Sequence, residues 1–336
     1  MTDSFVHHHS AHCESGVTAG LLTHYGLPMS EAMAFGIGSG LFFAYFPFIR
    51  VNGLPMSTFR CAPGGIFRLV AKRLKIGVER RTFGDSQRGM AALDGLLDRG
   101  IVVGAQTGVF WLPYFPPALR FHFNAHNIVI FGREAGGYRI SDPIIGEPVV
   151  CPAADLERAR FARGVFAPRG RLYWLTDVPR AIDLTPAILE SIRDVSRVMT
   201  RTPVPLIGVA GMRYLASSIE RWPARLGARR AALYLGQLIR MQEEIGTGGG
   251  GFRFIYAAFL QEAAGVLGDA RYLDLSARMT AIGDRWRDVA VAGVRHCKGE
   301  MRGDVSYADV AALVRECAGL ESALFRDLDA TARSPR

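Results

Sequence analysis

The pattern of apolar and polar residues changes near residue 180 of this chain. Before that point, short apolar stretches are separated by glycine, proline and charged residues, a pattern typical of mixed helices and strands. Beyond it, apolar residues recur every three or four positions, the spacing of one helix face. One such face comprises Leu184, Ile188, Ile192, Val195 and Met199. The pattern therefore predicts a mixed first half and a helical second half.

Start and stop signals divide the first half into elements. Residues 15–25 end at Gly26 and Pro28, which predicts a helix there. Ser30 and Ser86 can each cap a further helix. Four runs indicate strands, at residues 101–105, 126–131, 138–141 and 171–175, with a hairpin turn around residues 133–137. The prediction is an α+β fold with a first domain over 1–178, an all-α domain over 179–330 and a frayed tail over 331–336.

Three residues in this framework have the chemistry of a nucleophilic enzyme. Cys13 precedes the first predicted helix, where the helix dipole favours a thiolate. His126 opens a predicted strand, and Asp142 ends the paired strand. This order suggests a nucleophile, a base and a residue that orients the base. A helix carrying the cysteine beside antiparallel strands carrying the other two is the geometry of papain-like folds.

Each of these residues has an ordinary structural interpretation as well. Free cysteines are usually buried, and Ser-Asp-Pro is a common turn. If the site is catalytic, an oxyanion hole needs the backbone N–H of Cys13 and one further polar group. His7, Gln106 and Asn124 are the candidates for that group, and the sequence does not choose among them.

Composition narrows the class of protein. Hydrophobic residues make up 49% and charged residues 21% of the 336 residues, which indicates a globular chain. The longest apolar run, residues 41–49, is too short to span a bilayer, and no secretory signal is recognised at the N-terminus. Five widely spaced cysteines argue against a disulfide framework and a zinc site, so we expect a reducing cytoplasm and no resident metal.

The net charge of +9 comes mainly from arginine. Two clusters stand out, at Arg158, Arg160, Arg163, Arg169 and Arg171, and at Arg221, Arg225, Arg229 and Arg230. No nucleic-acid module accompanies them, so an acidic protein partner or a plain solvated face is the better interpretation.

Three further motifs give weaker evidence of a binding site. His7, His8, His9 and His12 lie beside Cys13 but lack a second cluster of metal ligands. Residues 36–40 resemble a phosphate loop only superficially, which favours tight packing or substrate access. Residues 248–251 are four glycines, either a flexible connector or a mobile backbone that approaches a ligand.

The sequence also resembles the butirosin biosynthesis protein H family. Its N-terminal motifs are His12-Cys13-Glu14-Ser15-Gly16, residues 24–31, residues 35–40, Leu112-Pro113-Tyr114-Phe115, residues 126–132 and Ile140-Ser141-Asp142-Pro143; residues 245–250, 252–253 and 256–263 resemble the helical domain that follows in this family. The sequence departs from the expected pattern where Asn124-Ala125 replaces a glycine before His126.

The resemblance implies a papain-like acyltransferase with Cys13 as nucleophile, His126 as base and Asp142 as orienting residue. Such an enzyme moves an acyl group from an acidic acyl-carrier protein to a small-molecule or peptide amine, and needs no cofactor beyond the phosphopantetheine that the carrier brings. A cysteine peptidase or amidase, and a non-catalytic binding module, are the alternatives. Nucleic acid and membrane are not expected partners, and the oligomeric state stays open.

Overall fold

A computed structural model describes residues 5–51, 53–179, 181–298 and 306–334 of the chain. It divides into two compact units: Met1–Ala34 with Ile66–Ile182, and Phe35–Gly65 with Asp183–Arg336. The expected domains were contiguous, 1–178 and 179–330, so residues 35–65 depart from that expectation. The frayed tail was expected from residue 331, whereas the last helix continues to Arg333, and residues 335–336 lie outside the described part.

The first unit is built on a six-stranded antiparallel sheet of order β3-β8-β4-β5-β6-β7. Its strands are β3 (Gly77–Arg81), β4 (Val103–Thr107), β5 (His126–Glu134), β6 (Gly137–Ser141), β7 (Val149–Pro152) and β8 (Leu172–Asp177). The predicted hairpin forms, since Glu134 pairs with Gly137 across the turn. Sequence patterns missed β3 and β7, which are short strands at the two edges of the sheet.

Helices accompany this sheet. They are α1 (Cys13–His24), α2 (Glu31–Ile37, which ends in the second unit), α3 (Gly65–Arg73), α4 (Ser86–Asp98) and α5 (Ala153–Arg160). Helix α1 is buried along most of its length and contacts β5, β4 and β8. A separate apolar core joins Leu93 of α4 and Leu156 of α5 to Ile128 of β5 and Leu172 of β8. The cysteine-bearing helix therefore packs on antiparallel strands, as predicted.

The described part of the second unit combines one hairpin with six helices of its own. The hairpin is β1 (Leu41–Val51) with β2 (Leu54–Arg60), and the helices are α6 (Thr185–Arg201), α7 (Gly208–Leu226), α8 (Ala228–Glu243), α9 (Arg253–Leu267), α10 (Arg271–Lys298) and α11 (Tyr307–Arg333). Phe43 and Phe59 of the hairpin contact the buried ring of Trp286. Two strands alone are marginally stable, so this packing explains why the hairpin belongs to the helical unit.

Both glycine motifs pack tightly within the second unit. A Cβ at Gly36 would overlap the Phe259 ring, so residues 36–40 fit the tight-packing interpretation. At the second motif, Gly250 and Gly251 are buried with φ of 56° and 57°. The N–H of Gly250 donates to Glu243 at 3.1 Å. The glycine run is therefore a hydrogen-bonded turn that is buried from Gly249 onward, which argues against the flexible-connector interpretation.

In the described part of the chain, no helix combines the length and hydrophobicity needed to cross a bilayer.

Candidate active site

Cys13 is the first residue of α1, and the turn before it is held by a buried network. The His12 backbone is extended at the N-cap position, and its Nδ1 accepts the N–H of Ser15 at 3.3 Å. The Glu31 carboxylate accepts the N–H groups of Ala11 and His12 at 2.9 and 2.7 Å and the Ser15 hydroxyl at 3.0 Å. Burial raises the pKa of Glu31 above its usual value, and these hydrogen bonds offset only part of that rise. Glu31 thus fixes the backbone that presents the thiol.

The structure brings Cys13, His126 and Asp142 together. His126 opens β5 and Asp142 follows β6, the neighbouring strand. The Nε2 of His126 lies 2.7 Å from Oδ2 of Asp142, and the same imidazole hydrogen-bonds the thiol of Cys13. Since Asp142 engages Nε2, Nδ1 is the ring atom left for the thiol. The three residues predicted from their order along the chain therefore form one hydrogen-bonded group.

The electrostatics of this group favour a charged imidazole. Burial lowers the pKa of His126, but the charges of Asp142 and Cys13 outweigh it and raise the pKa to about 10. Cys13, His126 and Asp142 are 7%, 4% and 0% exposed, so little water screens these charges. The arrangement suits a thiolate–imidazolium pair steadied by a carboxylate.

Asp142 is held by groups that the sequence analysis did not identify. The Tyr114 hydroxyl donates to Oδ2 at 2.9 Å, and the N–H of Ile144 donates to Oδ1 at 3.1 Å. Burial and the Asp142 charge raise the pKa of Tyr114 well above its usual value, so this phenol stays protonated and remains a donor. Tyr114 lies in the Leu112-Pro113-Tyr114-Phe115 motif, which resembles the butirosin biosynthesis protein H family. That motif was the sequence signal that could have pointed to Tyr114.

The three oxyanion candidates have other partners. The ring nitrogens of His7 contact the Ser141 hydroxyl at 2.8 Å and the Ile145 carbonyl at 2.9 Å. The Gln106 amide donates to the carbonyls of Asn124 and Phe166 at 2.8 and 2.9 Å.

Asn124, the third candidate, also bonds to main-chain carbonyls. Its side-chain amide donates to Arg163 and Val165, at 3.1 Å each. His7, Gln106 and Asn124 each have these other partners in the structure, so the oxyanion role predicted for one of them stays a prediction. Polar side chains in a buried region satisfy nearby carbonyls, and one sequence alone does not show which ones.

Two residues beside the thiol also have identifiable structural roles. Glu14 is buried, and its Oε1 accepts the N–H groups of Ile66 and Phe67 in the first turn of α3, at 2.9 and 3.3 Å. At Gly16, a Cβ would lie 2.7 Å from the Pro143 Cβ, directly after Asp142. Glu14 therefore ties α1 to α3, and Gly16 lets α1 approach the aspartate loop.

Outside this group, the sequence contains further cysteines and histidines whose chemistry the structure also describes. Burial raises the pKa of the Cys151 thiol to about 12 and also raises that of Cys317, as expected for inert core cysteines. In the described ranges, no cluster of three or more histidine, cysteine or acidic residues could hold a metal ion.

Two of the clustered arginines have structural surroundings of their own. Arg160 is fully buried, and Arg158 lies 3.7 Å from Asp155.

Fold and site together define the class of this protein, a papain-like cysteine enzyme. Residues 12–143 match the family described as butirosin biosynthesis protein H, N-terminal, and residues 154–328 match the domain of unknown function DUF4872. The chain therefore carries the N-terminal domain of the butirosin biosynthesis protein H family ahead of a DUF4872 domain. The DUF4872 match spans more than half of the chain, so the chain belongs to that family.

Other comparisons add little. No curated protein matches the chain. One similar solved structure is a Bacillus anthracis protein described as a candidate C39-like peptidase, with 13% identity and a TM-score of 0.37, covering 53% of this chain and 98% of the other. At that score the likeness carries no weight in assigning the reaction.

Proposed function

We propose that this protein is an acyltransferase that moves an acyl group from an acyl-carrier-protein thioester, through a Cys13 acyl-enzyme, to an amine. The observation that carries the proposal is the buried Cys13–His126–Asp142 group in a chain that carries the N-terminal domain of the butirosin biosynthesis protein H family. That family's name places its founding protein in a biosynthetic route, which favours bond formation over breakdown.

The first step forms the acyl-enzyme. The Cys13 thiolate attacks the carbonyl carbon of the thioester, a C–S bond to Cys13 forms, and the C–S bond to the carrier breaks. The leaving thiolate takes the proton of the His126 imidazolium, which leaves the imidazole neutral. One thioester replaces another, so the step needs little driving force.

The second step releases the product. The amine attacks the acyl carbon, His126 takes a proton from the amine nitrogen, and the Cys13 thiolate leaves. The product is an amide, and the thiolate–imidazolium pair is restored. Asp142 holds the imidazole in place throughout, and the Tyr114 hydroxyl holds Asp142. The low exposure of Cys13 and His126 supports transfer, because water must be kept from the acyl-enzyme.

Intact-protein mass spectrometry with acyl-loaded carrier protein tests this proposal. We expect the wild-type chain to gain the mass of the acyl group and to lose it when an amine is added, with the amide as product. Cys13→Ala should show no gain, whereas Cys61→Ala, which removes a more exposed thiol, should behave as wild type.

Two results would contradict the proposal in different ways. A mass gain on Cys13→Ala would exclude Cys13 as the nucleophile. Release of free acid at the same rate with and without amine would make the protein a hydrolase, the peptidase or amidase alternative. Absence of any adduct, with Cys13 unreactive to iodoacetamide in the folded chain, would favour a binding module.

A further inference from the structure

A cavity of about 580 Å³ opens in the first unit beside the loop of residues 161–170. Its lining combines two arginines, Arg163 and Arg169, with Phe83, Phe161 and Thr82. The volume lies within the range of small-molecule sites. The cavity therefore offers cationic groups and an apolar wall in the same space.

The arginines around this cavity are not paired with carboxylates in the described part of the chain. Within the ranges that the structure describes, Arg163, Arg169 and Arg80 form no ion pair. Burial, then Arg80, then Arg169 lower the pKa of Arg171, so these guanidinium groups lie close enough to repel one another. The buried Nε of Arg171 has no hydrogen-bond partner. The nearby carboxylate of Asp85 caps α4 by accepting the N–H of Arg88 at 2.8 Å.

Buried side chains hold the loop in a fixed shape. Arg160 donates to the carbonyl of Gly170 at 3.0 Å and that of Gly89 at 3.1 Å. Gln106 and Asn124, the residues first considered for the oxyanion hole, donate to loop carbonyls. Arg169 itself has a φ of 53°, which non-glycine residues rarely adopt. Such preorganisation is common at ligand sites, where strain is retained for function.

One member of the arginine cluster (Arg80, Arg163, Arg169 and Arg171) acts on the same tyrosine as the thiol of the candidate active site. Arg171 and Tyr173 are two residues apart on the same face of the strand region. Among the charges acting on the Tyr173 phenol, Glu14 and Cys13 raise its pKa and Arg171 lowers it, in addition to burial. The Tyr173 side chain is thus within electrostatic reach of both the thiol and Arg171.

We propose that this cavity binds the phosphate group of an organic phosphate ester, with Arg163 and Arg169 as its direct ligands and Arg80 and Arg171 supplying positive potential. Planar guanidinium groups match phosphate oxygens with paired hydrogen bonds. The aromatic wall fits the organic part of the ester better than it fits free phosphate. The proposal goes beyond acyl transfer and stands whether or not Cys13 carries an acyl group.

Isothermal titration calorimetry with two matched probes tests the proposal. Phosphopantetheine and pantetheine differ only by the phosphate group. We expect the wild-type chain to bind the phosphorylated probe at least about tenfold more tightly, because one charge-assisted hydrogen bond contributes roughly that difference in affinity. The affinity should also fall as the salt concentration rises. Equal affinity for the two probes, or no binding of phosphopantetheine at millimolar concentration, would overturn the proposal.

Variants locate the site. Arg163→Gln with Arg169→Gln should remove the preference for phosphopantetheine, since both side chains are exposed and their loss should leave the fold intact. Arg225→Gln with Arg229→Gln removes the same charge from exposed positions of the second unit and should change affinity less than twofold. An equal loss in this control would show that only net charge matters and would refute the site.

Two sources could supply the phosphate, and a second titration distinguishes them. A carrier protein bears its pantetheine arm through a phosphodiester, whereas a small-molecule ligand bears a monoester. If the Arg163 and Arg169 variant weakens binding of the loaded carrier as well, the site accepts the carrier-borne ester. If only phosphopantetheine is affected, the ligand is a free phosphate ester. If the variant loses affinity in neither titration, the proposal is contradicted.

The double variant could also lose stability, which circular dichroism would show as a lower melting temperature. Arg163→Gln alone then serves as the test, because the main-chain carbonyl of Arg163 and not its side chain anchors the loop.

Discussion

At the scale of single residues, the run from His12 to Gly16 shows how closely function and structure share a short sequence. His12 caps the helix, Cys13 presents the thiol and Ser15 bonds to Glu31. Glu14 and Gly16 tie the helix to its neighbours. The candidate roles of Cys13, His126 and Asp142 follow from residue type and order. Tyr114 and Glu31 could not be assigned that way, because a buried tyrosine or glutamate gains a role only from the groups it meets.

The charge state of His126 is the first prediction. Because Cys13 and Asp142 raise the pKa of His126 to about 10, its ring should stay protonated from pH 6 to 9. In Cys13→Ala one of these charges is lost, so the pKa should fall. Nitrogen NMR of the imidazole across this pH range measures the protonation of the wild-type ring and the pKa change in Cys13→Ala. The His126→Gln variant identifies the signal of His126. Titration of the wild-type ring near 6.5 would contradict the prediction.

This proton also links stability to pH. The folded-state pKa lies above the ordinary value of 6.5, so the proton stabilises the folded chain fully below pH 6.5. That contribution is lost as the pH rises toward 10.

At the scale of elements, the position of α1 decides whether the site forms. The periodic pattern predicted this helix and most of the sheet strands, since local propensity and alternation specify them. It missed the edge strands β3 and β7, which are short and largely exposed, so no apolar alternation marks them. The distance between α1 and the loop after β6 depends on tertiary packing. Gly16 permits the close approach of the two because it has no side chain.

Substitution of Gly16 is the second prediction. In Gly16→Ala the new Cβ would crowd Pro143 and Ser10 at 2.7 and 2.8 Å, which should displace α1 from the aspartate loop. We expect slower alkylation of Cys13 by iodoacetamide and a loss of about 1–3 kcal/mol in the free energy of unfolding.

Gly20→Ala is the matched control on the same helix. Its Cβ would meet only the far end of the Phe5 ring, at 3.0 Å. Alanine also favours helix, by up to about 1 kcal/mol relative to glycine. Stability should therefore hold in urea unfolding, and an equal loss in both variants would show that α1 tolerates no side chain anywhere along this face.

At the scale of the whole molecule, each unit has its own buried polar centre. In the second unit, Glu321 accepts the Nε and Nη2 of Arg253 at 2.9 and 3.0 Å and the indole N–H of Trp286 at 2.8 Å. Arg253, Glu321 and Trp286 are all fully buried, on α9, α11 and α10. These bonds join three helices that are distant in the sequence, so the helical pattern could not reveal them.

Loss of this buried pair is the third prediction. Glu321→Gln leaves the Arg253 charge uncompensated and should lower the free energy of unfolding by about 3–5 kcal/mol in urea titrations. Replacing both Arg253 and Glu321 by methionine should cost less, because no charge then stays buried.

Glu316→Gln on the same helix α11 is the control. It breaks the exposed pair with Arg285 and should change stability by about 1 kcal/mol or less. Similar losses at the two positions would mean that the buried pair contributes no more than a surface one.

Because periodicity, capping and residue chemistry act locally, they predict the change from mixed to helical texture, four strands of the sheet and the three residues of the candidate site, but not the hairpin strands β1 and β2. Tertiary structure alone decided the rest. It assigned residues 35–65 to the helical unit, since a lone hairpin needs a partner to bury its apolar face. It also directed Gln106 and Asn124 to the arginine-lined loop, because buried amides bond to whichever carbonyls the fold brings within reach.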